Sequence, residues 1–159
     1  MIKRNVAFLL ALLLCFTFVS CSDEPTVFSH CELTIPLPES FSEVEDENFD
    51  VTYTDGESVV AILRISFEAA VNSGISNLMS AYEFGEYWVM RCGREATVKR
   101  GSTVYCEYYD SQGGREQYYL EAFYRSKYAY FVVLFATAAE NEGKNFGKYL
   151  EYADGVIFT

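Results

Sequence analysis

The stretch from Gly101 to Ala138 constrains this chain more than any other. It holds three successive runs, GSTVYCEYYDSQ, GREQYYLEAFYRSK and YAYFVVLFATA, joined at Gln112-Gly113-Gly114 and at Ser126-Lys127. Aromatic and β-branched residues suit a pleated, packed surface, and short breaks of this kind close hairpins rather than crossovers. The reading is a three-stranded antiparallel meander. Side chains alternate across a strand, so parity assigns faces. In the first run Val104, Cys106 and Tyr108 share one face, and Thr103, Tyr105, Glu107 and Tyr109 the other. In the second, Tyr118, Leu120, Ala122 and Tyr124 oppose Tyr119, Glu121, Phe123 and Arg125. Charge falls on odd numbers in both runs, which predicts an even-numbered core face. The third run, Tyr128 to Thr137, carries no charge, as expected of a central strand covered twice.

Ahead of the meander, Phe49–Thr54 and Glu57–Phe67 read as a hairpin turning at Asp55-Gly56, with Val59, Ala61, Leu63, Ile65 and Phe67 on its apolar face. Cys31 to Leu37 runs into Pro36 and Pro38, which predicts a short or edge strand. The acidic stretch Phe41–Phe49 reads as a turn or brief helical piece, and Ala69–Asn77 as a loop around Gly74. Ser80 with Glu83 three residues on forms a capping box. Ala81, Phe84, Gly85, Trp88, Val89 and Cys92 follow at helical spacing, and Gly93 closes the helix. Glu95–Arg100 is a candidate strand. Asn141–Asp154 reads as a second helix with Phe146, Tyr149, Leu150 and Ala153 inward, ended by Gly155 and followed by an extended Val156-Ile157-Phe158. Two helices against a mostly antiparallel sheet make an α+β fold, a meander flanked by two α-helices.

The N-terminus supplies an address. Lys3-Arg4 precedes an apolar run from Val6 to Val19, the order of a secretory signal and too short to span a bilayer. Phe18-Val19-Ser20-Cys21 then resembles a bacterial lipobox, with Phe18 where Leu is usual. That resemblance implies cleavage before Cys21 and lipid on its thiol. The expected organisation is a signal peptide over 1–20, a lipid-anchored tether over 21–30 and one α+β domain over 31–159. Removing Lys3 and Arg4 reduces the 12 basic residues to 10 against 23 acidic, so the formal charge of −11 becomes −13. Such a surface disfavours nucleic acid, because phosphate contact needs Lys and Arg.

Four features together resemble small Gram-positive lipoproteins with the PsbP-like sandwich. They are the opening Leu33-Thr34-Ile35-Pro36-Leu37-Pro38, the helix start Ser80-Ala81-Tyr82-Glu83, the aromatic meander, and the closing helix with Val156-Ile157-Phe158. The resemblance covers Cys31 to Thr159 and implies an α/β/α sandwich, with helices on both sides of the sheet. It implies no activity and no cofactor. The other architecture considered is a cystatin-like cone, one helix wrapped by a sheet.

Catalytic and metal chemistry find little support. His30, the one histidine, adjoins the tether and has no second His-Cys pair to complete a metal site. Asp46, Asn48, Asp50 and Glu57 fall at calcium-loop spacing, but Val51 stands where that loop needs Gly. No catalytic or metal residue is assigned. Cys31, Cys92 and Cys106 remain once Cys21 is set aside. Cys92–Cys106 is a candidate disulfide, with buried thiols as the alternative. Tyr105, Tyr109, Tyr119 and Phe123 are the candidate aromatic interaction surface, and ordinary strand packing is the alternative. The function expected is a non-enzymatic binding or accessory module, lipid-anchored outside the cytoplasm through Cys21, with an envelope protein as partner. The alternative is a small-ligand or cation-binding protein using a cleft between sheet and helix.

Overall fold

The computed structural model describes residues 25–112 and 114–159; the leader and Cys21 lie outside that range. Among the described residues ten strands and three α-helices follow in the order β1 (Pro25–His30), β2 (Leu33–Pro38), β3 (Ser42–Val44), β4 (Val51–Thr54), β5 (Ser58–Ser66), α1 (Phe67–Asn72), α2 (Ala81–Arg91), β6 (Lys99–Arg100), β7 (Val104–Gln112), β8 (Arg115–Arg125), β9 (Ala129–Ala138), α3 (Glu142–Asp154) and β10 (Ile157–Phe158). A seven-stranded sheet runs β3-β4-β5-β9-β8-β7-β6, and a three-stranded sheet runs β1-β2-β10. The described pairings are antiparallel, and the class is α+β as expected.

Both faces of the large sheet are covered. On the first, α3 and the small sheet pack Leu33, Ile35, Leu37, Tyr149 and Ala153 against Tyr118, Leu120, Phe131 and Phe135. On the second, α1 and α2 pack Ala70, Phe84 and Val89 against Cys106, Phe123, Tyr130 and Val132. Strand β9 lies between β5 and β8 and is buried from Ala129 to Phe135, as its lack of charge predicts. Tyrosine hydroxyls pin the layers together. Tyr124 donates to the Ala153 carbonyl at 2.7 Å, and Tyr130 to Ser76 and Met79 carbonyls at 2.8 and 3.0 Å.

The single even-numbered core face does not hold. Val104 pairs with Phe123 and Gln112 with Arg115, because a two-residue turn couples numbers of opposite parity. The even face of β7 therefore lies on the same side as the odd face of β8. With both sides covered, Glu121 points inward and is 3% exposed.

Other local expectations also change. Pro25–His30, expected as tether, pairs with β2 along its whole length, so the folded domain already includes Pro25. That makes β2 the centre of its sheet rather than an edge. It tolerates Pro36 because β10 stops pairing at Thr34, and Gly155 packs on the Pro36 ring instead. The acidic stretch contributes β3, paired to β4. The expected loop after β5 begins as helix α1, capped by Ser66, whose Oγ accepts from the Ala69 N–H. Of Glu95–Arg100 only Lys99 and Arg100 form a strand.

Candidate functional site

Helix α2 begins and ends as its sequence dictates. The Ser80 hydroxyl accepts from the Glu83 N–H, and Glu83 accepts in return from the Ser80 N–H. At the other end Gly93 takes φ +66°, with Gly93 N–H bonded to the Met90 carbonyl and Arg94 N–H to the Val89 carbonyl. This pair of bonds is a Schellman motif, which needs a residue without Cβ at the left-handed position. The turn stops α2 short of the end of the sheet and directs Arg94 back across it.

The strand register shows what α2 leaves open. One row across the second face reads Cys106, Glu121, Leu134, Ala61, Thr52, and the next reads Tyr108, Tyr119, Ala136, Val59, Thr54. Helix α2 covers the sheet as far as the first row, with Gly85 pressed onto Phe123 and Phe84 stacked on Tyr130 at 4.3 Å. The concavity on this face lies beside the helix, over the second row. A cavity of about 420 Å³ there has Val59, Ala61, Tyr119, Leu134 and Ala136 as floor, with Asp46 and Phe49 at one side. A second cavity of about 830 Å³ lies at the outer edge of β7, between Cys92–Glu95 and Glu142. Arg94, Tyr108 and Asp110 line both, so the two cavities share a wall.

That shared wall is built on a buried charge. Arg94 Nη1 donates to Glu121 Oε1 at 2.5 Å, and the Tyr108 hydroxyl donates to the same oxygen at 3.2 Å. The guanidinium lies 4.5 Å above the Tyr108 ring, and Tyr108 stacks on Tyr119 at 5.0 Å. Arg94, Tyr108 and Tyr119 thus form a ladder across the sheet, held by cation–π and stacking contacts. Burial pushes the Glu121 carboxyl up, and Arg94 offsets this only in part. Trp88 Nε1 and Glu121 Oε2 are both buried without a full hydrogen bond, although the indole is near enough to favour the charged carboxylate.

The residues singled out from sequence do not form one surface. Tyr105 and Tyr109 point to the first face, Tyr119 and Phe123 to the second, as the register requires. Phe123 is 1% exposed beneath α2, Tyr109 is half exposed, and Tyr119 alone of the four lines the groove. Cys92 caps α2 as an exposed residue rather than ending its buried face. Cys92 and Cys106 are free thiols, both close enough to Glu121 to feel its charge. Cys31 is exposed, with Sγ 3.6 Å from His30 Nε2. The calcium-spaced residues are spent locally: Asp46 accepts from Asn48, Asp50 from the Arg64 N–H, and Glu57 from Lys144. Among the described residues, no cluster of three or more His, Cys, Asp or Glu could hold a metal ion. Sequence reasoning missed Arg94, Glu121 and Trp88. The available signals were a carboxylate within an otherwise aromatic strand and an Arg placed just after a helix-ending Gly.

A scan against protein-family models finds no match, and a search of the curated proteins finds none either. Solved structures do match. A crystal structure from Bacteroides thetaiotaomicron aligns with TM-score 0.59 and 10% identity over 86% of this chain and 49% of that one. The chain thus spans about half the length of that protein. Cyanobacterial PsbP (CyanoP) from Synechocystis sp. PCC 6803 aligns with TM-score 0.51 and 12% identity, over 90% of this chain and 99% of CyanoP. LpqN of Mycobacterium tuberculosis, described as involved in cell envelope biogenesis, aligns with TM-score 0.43 and 10% identity over 87% of each chain. The fold is PsbP-like.

Proposed function

We propose that this chain is an exported, lipid-anchored, non-enzymatic binding module, and that the groove beside α2 is its recognition surface. The observation that carries the reading is the uncovered row Tyr108, Tyr119, Ala136, Val59, which α2 stops short of covering. An apolar floor with a rigid aromatic ladder and a few fixed charges is what a recognition surface requires. The polar groups on the wall the groove shares with the adjoining cavity, and within that cavity, are held rather than poised. Arg94 is tied to Glu121, Glu107 to Lys99 and the Tyr118 hydroxyl, and the Tyr109 hydroxyl to Glu142. Burial pushes the Cys106 thiol up to about 12, and the hydrogen bond to Glu142 pushes Tyr109 up to about 12. Both move away from neutrality, where an acid–base or nucleophilic catalyst needs to titrate.

The anchor reading rests on the leader pattern and Cys21, which lie outside the described residues; among those residues no helix is long and apolar enough to cross a membrane. Cys21→Ala should abolish incorporation of labelled fatty acid in cells, and continued labelling refutes the anchor. Crosslinking in living cells should capture a defined envelope protein with the native chain and lose it with Cys21→Ala. A second reading, a small ligand in the same groove, is favoured by the 420 Å³ volume, which falls within the range of ligand pockets. Native mass spectrometry of the purified chain separates the two: a retained small molecule with no protein captured supports the ligand.

A further inference from the structure

We infer that the outer edge of β7, from Cys106 to Gln112, captures an extended, Lys- or Arg-bearing segment of a partner protein as an added β-strand. The inference rests on the binding-module reading and adds the mode of capture and the chemistry of the partner.

Strand β6 pairs with β7 only at Val104 and Tyr105, leaving seven of its nine residues with no outer strand among the described residues. An unpaired edge presents backbone N–H and C=O groups that another strand can satisfy. At about 3.3 Å per residue those seven residues offer about 23 Å of edge. The run CEYYDSQ contains no Pro and no Lys, and its only charges are the acidic Glu107 and Asp110, which repel like-charged strands and admit basic ones. At the opposite end of the same sheet the edge strand is β3, only three residues long. The 830 Å³ cavity lies against Glu107–Asp110, walled by Cys92–Glu95 on one side and by Tyr118 and Glu142 on the other. Strands pair about 4.8 Å apart, so an incoming strand would occupy that space.

Charge decides what the strand carries. Glu95, Glu107, Asp110 and Glu142 line this cavity, and among the described residues Arg94 is its one cation. Glu121, which lies outside the lining, already neutralises Arg94, whereas among the described residues only Glu107 of the four carboxylates has a cation, Lys99. The rim therefore favours a basic segment. It also opposes pairing with a second copy of this chain, which would bring the same carboxylates against themselves.

The test uses the full chain, purified in detergent, with hydrogen exchange followed by mass spectrometry. The probes are three end-blocked peptides, Lys-Val-Lys-Thr-Lys-Val-Lys, its Glu counterpart with every Lys replaced, and a version with Pro at each Val and Thr. The lysine peptide should slow exchange across 106–112, and the other two should not. Replacing Glu95 and Asp110, both exposed, by Lys should weaken the lysine peptide on the order of tenfold, two charge contacts of ordinary strength. Unchanged exchange with the lysine peptide, equal protection by the glutamate peptide, or protection that follows self-association in sedimentation overturns the inference. If 106–112 stays unprotected while a photo-reactive group at Val59 still captures a protein, strand addition fails and the binding-module reading stands.

Discussion

At the scale of single residues, Glu121 is the group on which the groove depends. Its side chain is 4% exposed, and its cation, Arg94, belongs to the loop that follows α2. Removing one partner of a buried pair leaves an uncompensated charge, which costs more than the pair itself contributes. Arg94→Met should therefore destabilise the chain by about 3 kcal/mol near pH 8, the low end for a buried pair because Arg94 keeps part of its side chain in water. The pH dependence has a definite sign. A carboxyl raised above its ordinary 4.5 binds protons more tightly when folded, so its contribution to stability is fullest below 4.5 and declines as pH rises through that value toward the folded one. Losing Arg94 raises the folded value further, so the gap between the native chain and Arg94→Met should widen from acid to neutral pH in urea unfolding. An equal gap throughout contradicts the assignment. The thiols give a second prediction at this scale. Under native conditions without reductant, the exposed Cys31 should alkylate readily and Cys92, exposed but pushed up by burial, more slowly, whereas Cys106, buried and pushed up to about 12, should react only on unfolding. If Cys92 and Cys106 resist alkylation even when unfolded, until reductant is added, they are joined as a disulfide.

At the scale of elements, helix α2 sets how much of the sheet stays open, and two glycines set α2. A Cβ at Gly85 would meet Phe123 Cδ2 at 2.7 Å, and Phe123 is itself buried between helix and sheet. Gly85→Ala should destabilise by about 1–3 kcal/mol through overpacking, although Ala is the better helix former by about 1 kcal/mol. A more stable variant would mean that the helix rides farther from the sheet. Gly93→Ala forces a Cβ into the left-handed position, so it should cost about 1 kcal/mol and weaken groove binding by moving Arg94. The caps of α2 are legible in the sequence because Ser80 with Glu83 at one end, and Gly93 at the other, each act within one turn of their own helix end. The strand order within the meander is legible for the same reason, since short turns leave a chain no alternative. The facing of β7 and β8 is not legible from charge parity, because Glu107 and Glu121 reach opposite sides of a sheet that is covered on both. The groove is illegible too: it depends on where α2 stops relative to a register set by β5 and β9, which are distant in sequence from α2.

At the scale of the described residues as a whole, two unequal sheets and the α-helices enclose two cores and leave a row of the large sheet open. The closed face is secured across its layers, Arg64 bridging to Glu32 at 3.0 Å and Tyr149 donating to Ser58 at 2.7 Å. The open face carries the aromatic ladder and merges with the unpaired edge of β7. A formal charge of −11 is the electrostatic setting that the proposed basic partner requires. The central claim is that binding occurs at the open row and not on the small-sheet side. It is tested most directly by a photo-reactive side chain placed in living cells at Val59, in the groove, or at Ile157, an exposed position on β10. Capture of one defined protein from Val59 and none from Ile157 is the predicted result. Capture of the same protein from both positions, or from Ile157 alone, would contradict the account.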